Sequence, residues 1–261
     1  MSDEELTGIH FESPERIECL FCGAPIDTAN HPPFSTVLCP ECGKSFALPV
    51  AYGKFVLLEL LAVGGMGAVF KGFDPALKRA VAVKVLQRQF GENQEFVAQF
   101  EHEAQMLAAL NNPNIVQVYA AGNEGGSPFI AMELVDRGRL DSHIKQKGPL
   151  DEAFVLRTAV DVARGLRAAA AIGLAHGDVK PGNILYDKTG TAKVVDFGLA
   201  RFKGESWQPG VIWGTPYFIA PEVVRGKQPN IQADIYSLGC SLYYALAGKF
   251  PFDKPKIEDT V

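Results

Sequence analysis

Two short cysteine pairs near the amino terminus restrict the fold of this chain more than any other feature. Cys19 and Cys22 form one Cys-x-x-Cys pair, Cys39 and Cys42 form another, and sixteen residues separate the two pairs. Each pair is followed by a glycine, which allows the backbone to turn tightly around an ion. Four thiolates in this arrangement match the closed tetrahedral geometry of structural zinc. The sequence therefore predicts a zinc ribbon of about 30 residues whose folding depends on the metal.

Other uses of these cysteines stay open at the level of sequence. Two disulfides are one alternative, and thioredoxin-like redox chemistry is another, although redox chemistry would need one pair beside a βαβ unit. A cytoplasmic chain disfavours persistent disulfides. His31 lies between the pairs and could replace one thiolate, but we expect it to be an exposed loop residue. Cys240 stands alone in an apolar stretch, which predicts a buried core cysteine.

Composition and charge limit the class of protein. The 261 residues are 47% hydrophobic and 21% charged, as in a soluble globular chain with a sizeable core. A net charge of −5 gives no electrostatic reason to expect nucleic acid or an anionic membrane as the main partner. The acidic start lacks the apolar core of a signal peptide, and no apolar run approaches the ~20 residues that span a bilayer. We therefore expect a cytoplasmic location, with a membrane segment beyond Val261 of a longer parent left open.

Hydrophobic periodicity divides the rest of the chain into two parts. After Tyr52, the runs KFVLLELLAV, AVFKGF, RAVAVKVL, NIVQVYAAG and FIAMELV predict five strands, and an amphipathic pattern predicts one helix from Glu92 to Leu110. The remainder is predicted to be mainly helical. It contains a long helix capped by Asp151, two short strands, and an apolar helix with the sequence DIYSLGCSLYYALAG.

Two groups of residues indicate phosphate chemistry. The glycine cluster GGMG can bring backbone N–H groups close to phosphate oxygens, and Lys84 could bind the same phosphates while Glu103 holds it in place. Alone, this pattern also fits a surface turn with an exposed ion pair. A denser polar group follows within nineteen residues, and its members are Asp178, Lys180, Asn183 and Asp196. Such a concentration of polar groups predicts a site shared by metal and phosphate.

These ordered motifs resemble those of eukaryotic-type protein kinases. The motifs are GGMG, VAVK, HGDVKPGNIL, DFG and GTPYFIAPE, and they are most similar to those of bacterial serine/threonine kinases. The resemblance covers about four-fifths of the chain. It implies an α+β, bilobal fold with a β-rich N-lobe over 52–135 and a mainly helical C-lobe over 136–261, truncated after the GTPYFIAPE and DIYSLG region. The zinc ribbon over 17–48 precedes the lobes, and residues 1–16 are predicted to be a disordered acidic segment.

The resemblance also implies a catalytic machinery that uses ATP and Mg²⁺ to phosphorylate serine or threonine hydroxyls of protein substrates. Asp178 would orient the acceptor hydroxyl and accept its proton, while Lys180 would neutralise charge on the transferred phosphoryl group. Asn183 and Asp196 would hold magnesium.

The nucleotide-binding residues are implied in the same way. Lys84 would contact the ATP phosphates and pair with Glu103. The adenine ring would lie between Ala82 and Leu185, with Met132 as gatekeeper. The remaining residues implied to contact the nucleotide are Val63, Gly64, Gly65, Met66, Gly67, Val69, Glu133 and Val135.

Three features depart from the family pattern. Ala62 stands at the first glycine of the loop, which predicts weakened nucleotide binding. Gly177 replaces the arginine that pairs with a phosphorylated activation loop in the family, and Ser206 is the single hydroxyl residue of the predicted loop. We therefore do not expect activation by loop phosphorylation. About 210 residues follow Tyr52, where a kinase domain needs ~250, so we expect a fragment of a longer product.

Two other functions are weighed against the kinase. The first is a catalytically weak or inactive kinase-like scaffold that uses the zinc ribbon to dock a protein partner. The second is a phosphotransferase acting on small molecules, which the peptide-docking character of GTPYFIAPE disfavours. The retained set of four polar residues favours the enzyme over the scaffold.

Overall fold

The computed structural model describes residues 9, 11, 14–197 and 216–252. Its described residues form two compact units, each described here by itself. The first unit comprises Met1–Ala104 and Val118–Leu134, and the second comprises Gln105–Gln117 and Val135–Val261. The first is rich in strands and the second is mainly helical, which confirms the predicted α+β fold class.

Two small antiparallel hairpins open the first unit. Strands β1 (Arg16–Glu18) and β2 (Pro25–Asp27) form the first hairpin, and β3 (Thr36–Leu38) and β4 (Ser45–Ala47) form the second. Each hairpin turns at one Cys-x-x-Cys pair, where the N–H of the following glycine donates to the carbonyl of the first cysteine. A small common core lies between the hairpins, and its buried members are Cys19, Ile26, Val37, Cys39 and Leu48.

A six-stranded antiparallel sheet completes the first unit, with strand order β5-β6-β7-β8-β10-β9. Its strands are β5 (Val50–Tyr52), β6 (Phe55–Gly64), β7 (Gly67–Asp74), β8 (Arg79–Leu86), β9 (Val118–Glu124) and β10 (Ser127–Glu133). Two helices follow β8 in sequence, α1 (Arg88–Gly91) and α2 (Gln94–Ala108). The five strands and the long helix predicted from the sequence are all present.

The core of this sheet includes residues from the start of the chain. Ile9 is 2% exposed and Phe11 is 7% exposed, and both pack in the same buried cluster as Phe55, Phe70 and Val83. The disordered segment over residues 1–16 stays a prediction, and these two side chains of the segment pack in the core of the sheet. The physical reason is that two large apolar side chains in an acidic segment gain free energy by covering an open face of the sheet.

Helices dominate the second unit. They are α3 (Leu140–Lys147), α4 (Glu152–Ala170), α5 (Pro221–Val224) and α6 (Ile231–Ala247), and a short hairpin is formed by β11 (Ile184–Tyr186) and β12 (Ala192–Val194). Asp151 caps α4 as predicted, because its carboxylate accepts the N–H of Phe154 at 3.0 Å. Cys240 is buried on α6, also as predicted. Among the described residues, no helix combines the length and apolar character needed to cross a bilayer.

Candidate functional site

The segment from His176 to Asn183 contains the predicted catalytic side chains, and Asp234 fixes its beginning. The backbone N–H groups of His176 and Gly177 donate to the two carboxylate oxygens of Asp234, each at 2.7 Å. Asp234 lies in the first turn of α6 and is 1% exposed. These charge-assisted bonds compensate for the burial of its charge. The sequence analysis did not assign this role, although a single acidic residue at the start of an apolar helix is a usable signal, because a buried carboxylate needs partners.

His176 links the segment that contains Asp178 to the segment that leads to Asp196. Its Nδ1 accepts the N–H of Asp178 at 3.1 Å, so Nε2 carries the ring hydrogen and donates to the carbonyl of Val195 at 2.8 Å. The imidazole ring also packs against Phe197, with 4.5 Å between ring centroids. His176 is therefore a positioning residue, and the sequence analysis did not identify it.

The structure brings the three predicted catalytic residues together. Lys180 Nζ lies 2.7 Å from Asp178 Oδ2, and both side chains are about a quarter exposed. Asn183 Nδ2 donates to the carbonyl of Asp178 at 2.8 Å and lies 3.4 Å from Asp178 Oδ2. Because the amide nitrogen of Asn183 is turned toward Asp178, its amide oxygen faces the other way. An amide oxygen is a ligand type that suits a hard cation such as magnesium.

Asp196 has an unusual backbone conformation directly after β12. Its φ angle of 63° lies in the left-handed region, which few non-glycine residues adopt. The residues that do adopt it are concentrated at functional sites. The N–H of Val195 donates to the carbonyl of Asn183 at 3.0 Å. The two predicted magnesium ligands, Asn183 and Asp196, therefore lie on backbone segments that are joined by a hydrogen bond. Gly198, the third residue of DFG, lies outside the described residues.

The predicted phosphate-binding turn is the tight connection between β6 and β7. Gly64 pairs with Gly67, so Gly65 and Met66 form a two-residue turn. A Cβ atom added to Gly65 would have no neighbour within 4 Å, whereas a Cβ on Gly67 would lie 2.1 Å from the carbonyl oxygen of Val85. The close approach of β7 and β8 therefore requires glycine at position 67, and the turn at Gly65 has an open backbone.

Strand register places four predicted nucleotide-binding residues on one face of the sheet. Val69 pairs with Lys84 across β7 and β8, and Ala82 pairs with Met132 across β8 and β10. Paired residues present their side chains on the same face, and so do residues two apart along a strand. Val69, Ala82, Lys84 and Met132 are therefore neighbours in the first unit.

The other predicted contacts are spread over both units. Val63 is exposed near the end of β6, Glu103 is buried on α2, and Glu133 is the last residue of β10. In the second unit, Leu185 is the central residue of β11, and Val135 follows the β10 strand in sequence. Their roles in nucleotide binding stay predictions.

The four cysteines of the two pairs converge. Their Sγ atoms all lie within 4.8 Å of one another, with 3.7 Å between Cys19 and Cys42 and between Cys22 and Cys39. A disulfide would need about 2.05 Å, and the thiols are free. A tetrahedral ion with Zn–S bonds of ~2.3 Å would hold its sulfurs about 3.8 Å apart. The cluster therefore has the dimensions of a zinc site, and His31 is not among its members.

Electrostatics in the cluster favour a bound cation. Burial acts to raise the pKa of the Cys19 thiol, but the N–H groups of Phe21 and Cys22 and the neighbouring thiols lower it to about 6. The N–H of Ala24 lowers the pKa of the Cys22 thiol, but burial and the three other thiols raise it to about 12. Four sulfurs this close do not all ionise at neutral pH unless a cation compensates their charge.

Comparison with known proteins identifies the family of the chain. The family model described as the protein kinase domain matches residues 55–261 of the chain. The chain belongs to the protein kinase family. This membership confirms the resemblance drawn from the ordered motifs. Members of this family use ATP and Mg²⁺.

Three curated relatives of this kinase chain are themselves serine/threonine-protein kinases. PknA of Mycobacterium tuberculosis is 41% identical, over 77% of the chain and 48% of the relative. PknL of the same organism is 37% identical, over 76% of the chain and 50% of the relative. PknB of Mycobacterium leprae is 38% identical, over 76% of the chain and 33% of the relative. The kinase chain spans half or less of the length of these relatives.

The features that depart from the family pattern differ in how far the structure describes them. Gly177 has a left-handed φ of 77°, and Ala62 pairs with Val69 in the sheet. Ser206, on which the prediction about the activation loop rested, lies outside the described residues.

Proposed function

We propose that this chain is the catalytic part of a serine/threonine protein kinase, which transfers the γ-phosphoryl group of ATP to hydroxyl groups of protein substrates. The cluster of Asp178, Lys180 and Asn183 carries the proposal, because the ammonium group of Lys180 and the amide of Asn183 both lie within hydrogen-bonding distance of Asp178. The match to the protein kinase domain and the names of the relatives support it.

Each member of the cluster has a proposed task. Asp178 orients the acceptor hydroxyl and accepts its proton, and Lys180, whose ammonium group contacts Asp178, neutralises charge on the transferred phosphoryl group. The transition state of phosphoryl transfer is loose, so positioning and charge neutralisation supply most of the catalysis. Asp234 and His176 maintain this positioning through the backbone.

ATP and magnesium are the proposed cofactors of the reaction. Asn183 and Asp196 would hold the magnesium, and Lys84 would contact the phosphates beside the turn at Gly65. When bound, the metal offsets the negative charge of the phosphate oxygens. The apolar side chains of Ala82 and Met132, on the same sheet face as Lys84, are suited to the adenine ring.

A structural zinc ion is proposed for the cysteine cluster, on the strength of the sulfur separations. Thiolate ligands must be reduced, which fits the proposed cytoplasmic location. A protein partner of the ribbon is part of the proposal as well, since Leu20, Phe21 and Leu38 are more than half exposed on its surface.

A transfer assay with a matched pair of variants tests the kinase proposal. The protein is incubated with labelled ATP, magnesium and a general protein substrate, and Asp178→Asn is compared with the surface variant Asp141→Asn. We expect Asp178→Asn to lower transfer by ~100-fold or more, the usual contribution of a proton-accepting group, with little change in ATP affinity. Asp141→Asn should retain transfer, because the ion-pair partners of Asp141 are Arg139 and Lys145 instead of members of the proposed catalytic cluster.

Two outcomes of this assay contradict the proposal. Wild-type transfer by Asp178→Asn would show that Asp178 is not catalytic. ATP binding by the wild type without any transfer would favour the inactive scaffold.

A further inference from the structure

The two faces of the six-stranded sheet have different surroundings. Val69, Lys84 and Met132 lie on the face proposed to bind the nucleotide. Side chains alternate along a strand, so Phe70 and Val83, which pair with each other across β7 and β8, lie on the reverse face. Both are fully buried. The strands that hold the proposed nucleotide residues therefore depend on whatever covers their reverse face.

Aromatic side chains from the start of the chain cover part of this reverse face. Phe34 stacks on Phe70 with 5.2 Å between ring centroids and 19° between ring planes. Phe11 makes edge-on contacts with Phe70 at 5.2 Å and with Phe34 at 5.4 Å. Distances and angles of this kind are favourable for aromatic pairs. Phe11, Phe34 and Phe70, called here the aromatic triad, join the ribbon region to β7.

The backbone of Phe34 is fixed by the ribbon core. Its N–H donates to the carbonyl of Leu48 at 3.2 Å, and the N–H of Leu48 donates to the carbonyl of Ser35 at 2.8 Å. Leu48 is fully buried in the same core as Cys39. Phe34 also has a left-handed φ of 60°, which a bulky residue keeps only when its surroundings hold it there. The ribbon core that contains Cys39 therefore fixes the position of the Phe34 ring.

The first hairpin also fixes Pro14 and Glu15, which precede β1. Thr28 follows β2 directly and is fully buried. Its N–H donates to the carbonyl of Glu15 at 2.8 Å, and its hydroxyl donates to the carbonyl of Pro14. The backbone of Phe34 is thus held beside the second hairpin, and the first hairpin holds the backbone of Pro14 and Glu15, a few residues after Phe11.

We propose that metal binding by the four cysteines stabilises the six-stranded sheet, with Phe34 as the positioning residue that connects the two. The inference rests on the proposed zinc site. Without a metal, the small ribbon core loses its main source of folding free energy. Phe34 and Phe11 then lose their fixed positions, and the reverse face of β7 and β8 becomes more accessible. The ribbon is in this way a structural part of the nucleotide-binding sheet.

Amide hydrogen exchange of the whole chain tests this connection. Exchange in β7 and β8 is measured for zinc-loaded protein and for protein treated with EDTA, and zinc content is measured on the same samples. In the wild type, we expect exchange in these strands to become at least tenfold faster after zinc removal, with several-fold weaker binding of Mg²⁺-ATP. This readout does not require catalytic activity.

Three variants separate the aromatic contact from other effects. Phe34→Gly removes the ring, and glycine suits the left-handed backbone, so the variant should still bind zinc. Amide exchange in β7 of this variant should be equally fast with zinc and without zinc. Phe34→Tyr keeps the ring and should retain the zinc-dependent protection. Phe21→Ala alters an exposed ribbon ring that contacts Phe46 instead of the sheet, and it should also retain the protection.

The possible failures are distinguishable. Stoichiometric zinc whose removal leaves exchange in β7 and β8 unchanged would overturn the connection and leave the zinc site standing. Zinc-dependent protection that persists in Phe34→Gly would overturn the role of Phe34. Absence of zinc from the purified wild type would refute the zinc site together with the connection, without affecting the proposed kinase activity.

Discussion

The segment from His176 to Asn183, called here the catalytic segment for its proposed role, and the cysteine cluster are two regions that hold polar groups close together. They do so by different means. In the catalytic segment, two backbone N–H groups satisfy Asp234, and both ring nitrogens of His176 have backbone partners. In the cluster, four sulfurs lie within 4.8 Å of one another, and although the N–H of Ala24 lowers the pKa of the Cys22 thiol, burial and the three other thiols raise it overall. The fold itself therefore organises the first site, whereas the second site needs its ligand to be complete.

The size of the two cores explains this difference. The ribbon core has five buried members, and two of them, Cys19 and Cys39, belong to the thiol cluster. Domains of fewer than ~40 residues rarely bury enough apolar surface to fold without a metal or a disulfide. The segment that begins at His176 is hydrogen-bonded to Asp234 on α6, and this helix has its own buried apolar side chains, among them Leu238 and Ala245.

The largest effect is expected from removing one thiol of the cysteine cluster, the site that needs a metal. Cys19→Ser should lower the zinc content from about one equivalent and unfold the hairpins, because metal binding supplies on the order of 10 kcal/mol in such modules. Metal analysis and NMR of the purified protein measure both effects. Cys240→Ala is the matched control, because Cys240 lies on α6 and should not alter zinc content. Undiminished zinc in Cys19→Ser would show that this thiol is not a ligand.

An intermediate effect is expected from removing the carboxylate of Asp234, which organises the segment that begins at His176. Asp234→Ala leaves the N–H groups of His176 and Gly177 without their acceptor, which should lower the free energy of unfolding by about 3 kcal/mol. Phosphoryl transfer should fall as well, because Asp178 directly follows these residues. Urea denaturation measures the first effect, with Asp136→Ala as control, because both side chains of the Asp136–Arg137 ion pair are mostly exposed. A loss below ~1 kcal/mol would mean that the loop does not depend on this carboxylate.

The smallest effect is expected from a substitution at Gly177, in the segment from His176 to Asn183. Gly177 has a left-handed φ of 77°, so Gly177→Ala should cost about 1 kcal/mol of unfolding free energy. Gly182→Ala is the control, because a Cβ at position 182 would have no neighbour within 4 Å. The two variants can be compared by urea denaturation. Equal stability of both would show that the loop does not impose the left-handed conformation at Gly177.

Local patterns in the sequence were sufficient for much of the fold. The alternating valines of RAVAVKVL predicted the strand Arg79–Leu86, and the capping role of Asp151 followed from its position before an amphipathic run. The helix Leu140–Lys147 was not predicted. Only Leu140 and Ile144 are buried in it, so its polar sequence has too weak a periodicity to identify a helix.

Contacts between distant residues could not be predicted in the same way. The cysteine spacing and the run from Asp178 to Asn183 are local, and the structure brings the four cysteines together and places Lys180 and Asn183 in contact with Asp178. The bond between His176 and Asp234 joins residues 58 positions apart. The stacking of Phe34 on Phe70 likewise depends on how two separate elements pack. Neither short-range spacing nor hydropathy encodes such a pairing.

The packing of Gly67 affects how homologous chains should be interpreted. A side chain at this position would collide with the carbonyl of Val85, whether or not a nucleotide ever binds beside it. A related chain that lacked Asp178, the proposed catalytic residue, would still need glycine there to pair the two strands. An intact glycine at this position is therefore poor support for ATP binding, and the unobstructed Gly65 is the more informative position to compare.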